Sequence, residues 1–427
     1  MKTMSKLNRA SGALVAGAAI VLLAAGSAGA QARIDGIVGQ TSFNFTAKAG
    51  EVSTPDGGSI HFWGYQDDVG HEGLPLGVLP QYPGPTMIVN QGDAVTISFK
   101  SELPFGQCSS MVFPGQQVTA TGGGAGELTQ ESCSAAQVVT YQFTASEPGT
   151  YTYYSGTDSG LQVEMGLVGA LIVRPSMGEG YAYNSVETAF DHEVLFLLTS
   201  MDPRVHQLAE QNRFAEIDLT ARKAVYWFIN GRAAPDDLAE PFVGWLPHQP
   251  YNCGPRITPE ENILVRIIGG DQDQHPLHLH GNHYSEIARY GRMLSSNGSD
   301  PDLKRGKFTT LSVPGQTVDA LFDWTGEKMG WDIYGSTLDG MPAHNCIDND
   351  NDGYADAGSD YPMEWCADHN KPFPVVLPEK QNLAFGGWWS GSPYMGGSGT
   401  LPPGEGGLNP NGGFFFMWHS HTWRVYT

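Results

Sequence analysis

Positive charge is scarce in this chain: 23 Lys and Arg stand against 45 Asp and Glu in 427 residues, a formal net charge of −22 at pH 7. That balance argues against nucleic acid or an anionic membrane surface as a partner, and favours solubility and the attraction of cations. Long apolar runs are also nearly absent. The exception is the start, where Lys2, Lys6 and Arg9 precede the run Ala13 to Ala25 and the small residues Ala28-Gly29-Ala30 or Ala30-Gln31-Ala32. This is the pattern of a secretory signal peptide over residues 1–32. The run is short and interrupted by glycine, and no later stretch has the length to span a bilayer, so no transmembrane segment is expected after its removal. The mature protein is expected to be exported, whether periplasmic, on the outer surface or extracellular.

Cysteine is sparse as well, with five in the whole chain. In an exported protein they invite pairing. Cys108 with Cys133 and Cys346 with Cys366 enclose plausible loops. Cys253 is then a free thiol, an intermolecular partner or a member of a different pairing, and spacing leaves the connectivity open.

Helical patterning is scarce, whereas 55 Gly, 28 Pro and short runs rich in Val, Ile, Phe and Tyr point to an all-β protein of two Greek-key sandwiches. Pro83-Gly84-Pro85-Thr86 through Ile97-Ser98-Phe99 alternates apolar and polar residues around Gly92-Asp93, which predicts two strands. Further strands are expected at Thr140–Phe143, Pro148–Gly156 and Gly166–Pro175. His192 onward opens a second set, followed by Tyr226–Arg232, Asn262–Ile268 and Phe308–Gln316.

Two histidine clusters carry the chemistry: His275-Pro-Leu-His278-Leu-His280-Gly-Asn-His283, and Trp418-His419-Ser420-His421. Residues two apart on a strand share a face, so His278 pairs with His280, and His419 with His421. If the two strands are neighbours, four imidazoles converge. A lone histidine in an apolar strand is usually a packed or surface residue, but two H-x-H pairs point to a metal. The odd spacing excludes the helical H-E-x-x-H pattern of zinc proteases. Imidazole suits copper, zinc, iron and nickel, so the pattern fixes the ligand type more firmly than the metal.

Both clusters resemble the copper-ligand segments of multicopper oxidases, H-P-x-H-L-H-G and H-C-H, with Ser420 where that family has a copper-binding cysteine. The segments from Pro83 to Pro175 resemble the first cupredoxin domain of the same family. There Val112-Phe113-Pro114-Gly115 stands at the family's H-W-H-G, and Tyr154-Ser155-Gly156 at its H-S-H. The resemblance implies a cupredoxin-like domain over 33–180 that has lost its ligands. A second follows over 185–427, holding the histidines and an insertion at 326–410. It further implies copper at His275, His278, His280, His419 and His421, with His275 matching a blue-copper histidine. With Ser420 in place of the thiolate, and only Thr422 to Thr427 after the last histidine, no blue centre is expected. That tail is short for a closing core strand, so either the sheet closes differently or the frame is truncated. Small two-domain relatives close such sites between subunits, which makes a homo-oligomer an expectation.

The insertion carries Asp348, Asp350, Asp352, Gly353, Tyr354 and Asp356 between Cys346 and Cys366. Acidic residues at loop positions 1, 3, 5 and 9, glycine at 6 and a backbone carbonyl at 7 match an EF-hand-type calcium loop, although Ser359 stands where glutamate would close it. A structural calcium is therefore expected. The favoured function is a copper-dependent oxidoreductase with a histidine-only, non-blue site, acting on a small molecule or metal ion; no catalytic residue is named. The alternatives are a non-catalytic exported copper-binding or envelope protein, and a structural or adhesion module in which the histidines merely pack.

Overall fold

The computed structural model describes residues 34–70, 79–254, 260–324, 337, 342–361, 364–370, 387–389, 414–416 and 418–421; the expected signal peptide, most of the 326–410 insertion and the residues after 421 lie outside them. The expected all-β class is what the chain forms. The first half contributes β1 (Ser42–Ser53), β2 (Ser59–Asp67), β3 (Gly84–Asn90), β4 (Ala94–Ser101), β5 (Val139–Thr144), β6 (Gly149–Tyr154) and β7 (Val168–Arg174). Strict alternation along β4 buries Val95, Ile97 and Phe99 against Phe43, Phe45, Trp63 and Tyr65. At about 25 cal/mol per Å² of apolar area removed from water, the burial of these side chains stabilises this half.

The Gly92-Asp93 turn between β3 and β4 moves the chain from one sheet to the other. Gly92 takes φ +94°, a left-handed conformation that favours glycine, and Asp93 Oδ2 accepts the Asn90 N–H at 2.7 Å. β3 thus joins the three-stranded sheet β6-β7-β3, whereas β4 lies in the six-stranded sheet at the centre of the order β2-β1-β4-β5.

The second half contributes β8 (His192–Met201), β9 (Tyr226–Ile229), β10 (Asn262–Gly269), β11 (His275–Leu279), β12 (Tyr284–Arg289), β13 (Thr309–Ser312), β14 (Thr317–Asp323) and β15 (Trp418–Ser420). Its large sheet runs β9-β8-β10-β14-β12, and its small sheet β13-β11-β15. The pairing order repeats that of the first half. An opening strand pairs antiparallel with the next strand and parallel with a third, β1 with β2 and β4, β8 with β9 and β10.

β7 and β8 are buried along their whole length because each has two packed faces. Leu171 and Val173 of β7 belong to the first core, and Val194, Phe196 and Leu198 of β8 to the second. Their other faces, Val168, Ala170 and Ile172 with Leu195 and Leu197, meet in a shared cluster between the halves. Strands covered on both sides read as continuous apolar runs, as these do.

A buried polar network crosses the same seam. Arg174 grips Glu193 with two bonds of 2.5 and 2.6 Å, and Arg266 Nε donates to the same carboxylate at 2.6 Å. Arg266 also donates to Thr150 Oγ1 at 2.9 Å, and Thr150 and Tyr183 donate to Asp319. Burial alone would raise the Glu193 carboxyl, but the Arg266 and Arg174 charges outweigh it and hold it below its ordinary value.

Two helices are short, Ser159–Glu164 and Pro203–Glu210, the latter capped by Asp202 accepting the Arg204 N–H. Among the described residues no helix is long and apolar enough to cross a membrane. Cys108–Cys133 and Cys346–Cys366 are disulfides and Cys253 is free, which settles the pairing that spacing left open. Disulfides of this kind form and persist in oxidising, extracytoplasmic compartments.

Candidate metal centre

The pleat of β11 sorts its side chains. His275, Leu277 and Leu279 are buried toward the second core, and His278 is turned to the opposite face. β15 pairs antiparallel with β11 in the register Leu277↔Ser420, His278↔His419 and Leu279↔Trp418. The pairing continues with the His421 N–H donating to Pro276 O at 2.9 Å. Trp418 is fastened inward, its ring 5.4 Å from Phe196 and stacked 5.1 Å from Tyr284. With Trp418 and Ser420 on the core side, His419 and His421 are turned outward onto the face that carries His278.

Four rings gather there. The centroids of His278 and His280 are 5.3 Å apart, those of His419 and His421 4.5 Å, and those of His278 and His421 5.0 Å. Donor atoms of His278, His419 and His421 all lie within 4.8 Å of one another. His280 joins through a 2.8 Å contact between its Nε2 and that of His419, a geometry in which one nitrogen donates and the other offers its lone pair. His278 Nδ1 is held by Thr309 Oγ1 at 2.8 Å, the neighbour that the β11–β13 register places opposite it. Such an outer hydrogen bond fixes a ring's orientation and leaves the other nitrogen to face a ligand. Burial, followed by the charges of neighbouring imidazoles, lowers the pKa of both His278 and His419. Burial and crowding favour the neutral rings, and neutral imidazole is the form that binds metals.

His275 does not join the four. It lies on the buried face of β11, where Asp271 Oδ1 contacts its Nε2 at 3.0 Å and Trp227 meets its ring edge-on at 5.4 Å. The spacing explains this: three residues from His278, it has the opposite parity on a strand. Asp271 in turn accepts from Ser200 Oγ, which also accepts from Arg222 at 2.7 Å, and Arg222 is paired with Glu164 and Asp273. His275 thus ends a buried polar chain that begins in the first half. Cys253 is no substitute for the missing thiolate. Burial, with the nearby Asp237 charge adding to it, pushes its thiol well up, and its Sγ donates to Asp237 O at 3.4 Å.

In the insertion, Asp348, Asp350 and Asp356 converge, with carboxylate oxygens within 4.8 Å of one another. Asp352 is not among them; its Oδ1 accepts the Tyr354 N–H at 2.8 Å. Gly353 takes φ +96° and packs so tightly on Trp365 that any Cβ would collide with that ring. Asp348 Oδ1 is buried with no hydrogen-bond partner. No sequence motif marked Thr309, Asp271 or Trp227: the first depends on strand pairing, the last on packing between two sheets, and Asp271 lies four residues before His275 in the loop that leads into β11.

Residues 70–178 match the family model for multicopper oxidases. That stretch is about a quarter of the chain, and over it the chain is similar to multicopper oxidases. Among curated relatives it is similar to the L-ascorbate oxidase of Cucurbita maxima, 29% identical over 218 residues, covering 46% of this chain and 34% of that protein. It is also similar to the iron transport multicopper oxidase fetC of Epichloe festucae, 36% identical over 100 residues, covering 23% of this chain and 16% of that protein. The matched stretch therefore spans about a third of one of these relatives and less of the other. Among solved structures, the blue copper oxidase from Nitrosomonas europaea aligns at 20% identity with a TM-score of 0.45, over 66% of this chain and 76% of that one.

Proposed function

We propose that this protein is an exported copper-dependent oxidoreductase whose metal is held by His278, His280, His419 and His421, without a blue centre. The observation that carries the reading is the convergence of four imidazoles from two paired strands, with Ser420 turned to the opposite face. All-imidazole donors suit copper, and no thiolate is placed to change its character. Bound copper supplies one-electron redox chemistry at this face. The chain's own part is to favour the neutral form of His278 and His419 through burial, and to orient the His278 ring through Thr309.

The substrate in this reading is a small molecule or metal ion, approaching a site rimmed by the exposed side chains of Phe308 and Leu311. The same apolar rim suits a second copy of the chain, which would shield the metal from water. His275 is assigned an ordering role through Asp271 rather than a ligand role. The first half, with Val112, Pro114, Tyr154 and Gly156 at the positions of family ligands, serves as scaffold. Asp348, Asp350 and Asp356 are assigned a structural calcium, to which the unpartnered Asp348 oxygen is suited.

Copper loading followed by electron paramagnetic resonance and optical spectroscopy tests the centre. The expected spectrum is that of nitrogen-ligated copper without an intense thiolate band near about 600 nm; that band would refute the assignment of Ser420. Oxygen consumption with phenols, Cu(I), Fe(II) or Mn(II) is expected, and its absence across all four would favour copper sequestration instead. Calcium chelation is expected to lower the melting temperature while leaving copper bound, and an unchanged melting temperature would remove the calcium assignment.

A further inference from the structure

A second cluster of metal-type side chains, separate from the four histidines, lies at the ends of the loop closed by the Cys346–Cys366 disulfide. His344 and His369 flank the Cys346–Cys366 disulfide on either side, and both rings converge on Glu364, with centroids 4.8 Å apart. Glu364 Oε1 lies 2.9 Å from His344 Nε2 and 2.5 Å from His369 Nδ1. The side chains are 7%, 14% and 0% exposed for His344, His369 and Glu364. Glu364 Oε2, equally enclosed, has no hydrogen-bond partner. A buried carboxylate oxygen left unpaired carries a large desolvation cost, and a cation beside it removes that cost.

The proton arrangement points the same way. His344 Nδ1 is within hydrogen-bond distance of Pro342 O, at 3.1 Å, and a neutral ring that donates there presents a lone pair at Nε2. That lone pair faces a carboxylate oxygen, so a positive charge must sit between them, either an extra proton or a metal ion. Donor atoms of all three residues lie within 4.8 Å of one another, close to the separation allowed around one ion at about 2.0–2.2 Å from each ligand.

The backbone carrying the three side chains is tied in place. Cys366 N–H donates to Gly353 O at 2.8 Å, Ala355 N–H to Glu364 O at 2.9 Å and Asp360 N–H to Asn345 O at 2.9 Å. The Tyr361 ring covers His344 edge-on at 4.9 Å. We propose that His344, Glu364 and His369 form a structural site for a divalent transition cation of the zinc class, latching the ends of the acidic loop beside its disulfide. Two imidazoles and one carboxylate are a borderline nitrogen and oxygen set that suits zinc, whereas calcium prefers oxygen alone. The low exposure of all three groups marks a closed site rather than one open to substrate.

The test uses the full chain carrying His280→Ala and His421→Ala, so that the four-histidine cluster does not contribute, in millimolar calcium to keep the acidic loop supplied. After equilibration with Zn(II), elemental analysis is expected to give one zinc per chain, and adding His344→Ala with His369→Ala is expected to remove it. An undiminished ratio in that variant overturns the proposal. X-ray absorption at the zinc edge needs no further substitution: two imidazoles with carboxylate oxygen support the site, and a shell without imidazole overturns it.

Discussion

The two halves of the molecule make the same cross-strand contact with different side chains. In the first, Val112 pairs antiparallel with Tyr154, joined by bonds of 2.8 and 3.2 Å; in the second, His278 pairs antiparallel with His419. Beyond Tyr154, Ser155 is buried and donates to Gln162 Oε1 at 2.6 Å, and Gly156 abuts Val112. Beyond His419, Ser420 faces the core and His421 returns to the outer face. One backbone arrangement thus supports an apolar contact in one place and a cluster of imidazoles in the other. The difference teaches that the pairing is structural and that its chemistry is set by the residues it happens to present.

The strongest way to break this comparison is to remove the imidazoles. His280→Ala with His421→Ala is expected to abolish stoichiometric copper binding, measured by metal analysis after dialysis. Full retention would place the metal elsewhere and leave the two halves chemically alike.

The seam that joins the halves should respond in stability rather than in metal content. Glu193→Gln removes the charge that two buried arginines share, and is expected to cost about 3–5 kcal/mol, because Arg174 loses its carboxylate and Arg266 keeps only Asp319. Its carboxyl titrates below the ordinary value in the folded chain. The stability it contributes is therefore complete above the unfolded-state pKa and is lost as pH falls through the folded value. Melting temperatures measured from pH 6 downward should show a shallower acid limb in the variant, with copper binding at neutral pH unchanged. A variant as stable as the parent would mean that the pair does not join the halves.

A smaller effect is expected in the first half. A Cβ at Gly156 would lie 2.7 Å from Val112 Cγ1, and the β-branched valine has little freedom to yield. Gly156→Ala should cost about 1–3 kcal/mol by overpacking and leave copper binding intact. A neutral substitution, followed by chemical denaturation, would show that this contact is looser than its counterpart.

Much of this arrangement was legible in the chain itself. The alternation of β4, the turn at Gly92 and the shared faces of His278 with His280 and of His419 with His421 are all local consequences of the pleat. The same parity placed His275 on the other face, where resemblance to the ligand pattern of a family had grouped it with the rest. The acidic loop was visible as a motif, yet Asp352 turned to Tyr354 because a nearby backbone donor competes for its oxygen. His344 and His369 carried no motif at all, being 25 residues apart and joined only by a carboxylate and a disulfide.

The sequence by itself therefore determined the β class, the faces of the histidine pairs and the absence of a thiolate at Ser420, since these follow from side-chain identity and a period of two. Only the tertiary structure decided that β15 lies beside β11, that His280 meets His419 across 139 residues and that Arg174 and Arg266 share Glu193. Partner choice between strands depends on which surfaces remain to be buried once all the others have packed. That is a property of the whole chain and is not written in any one segment of it.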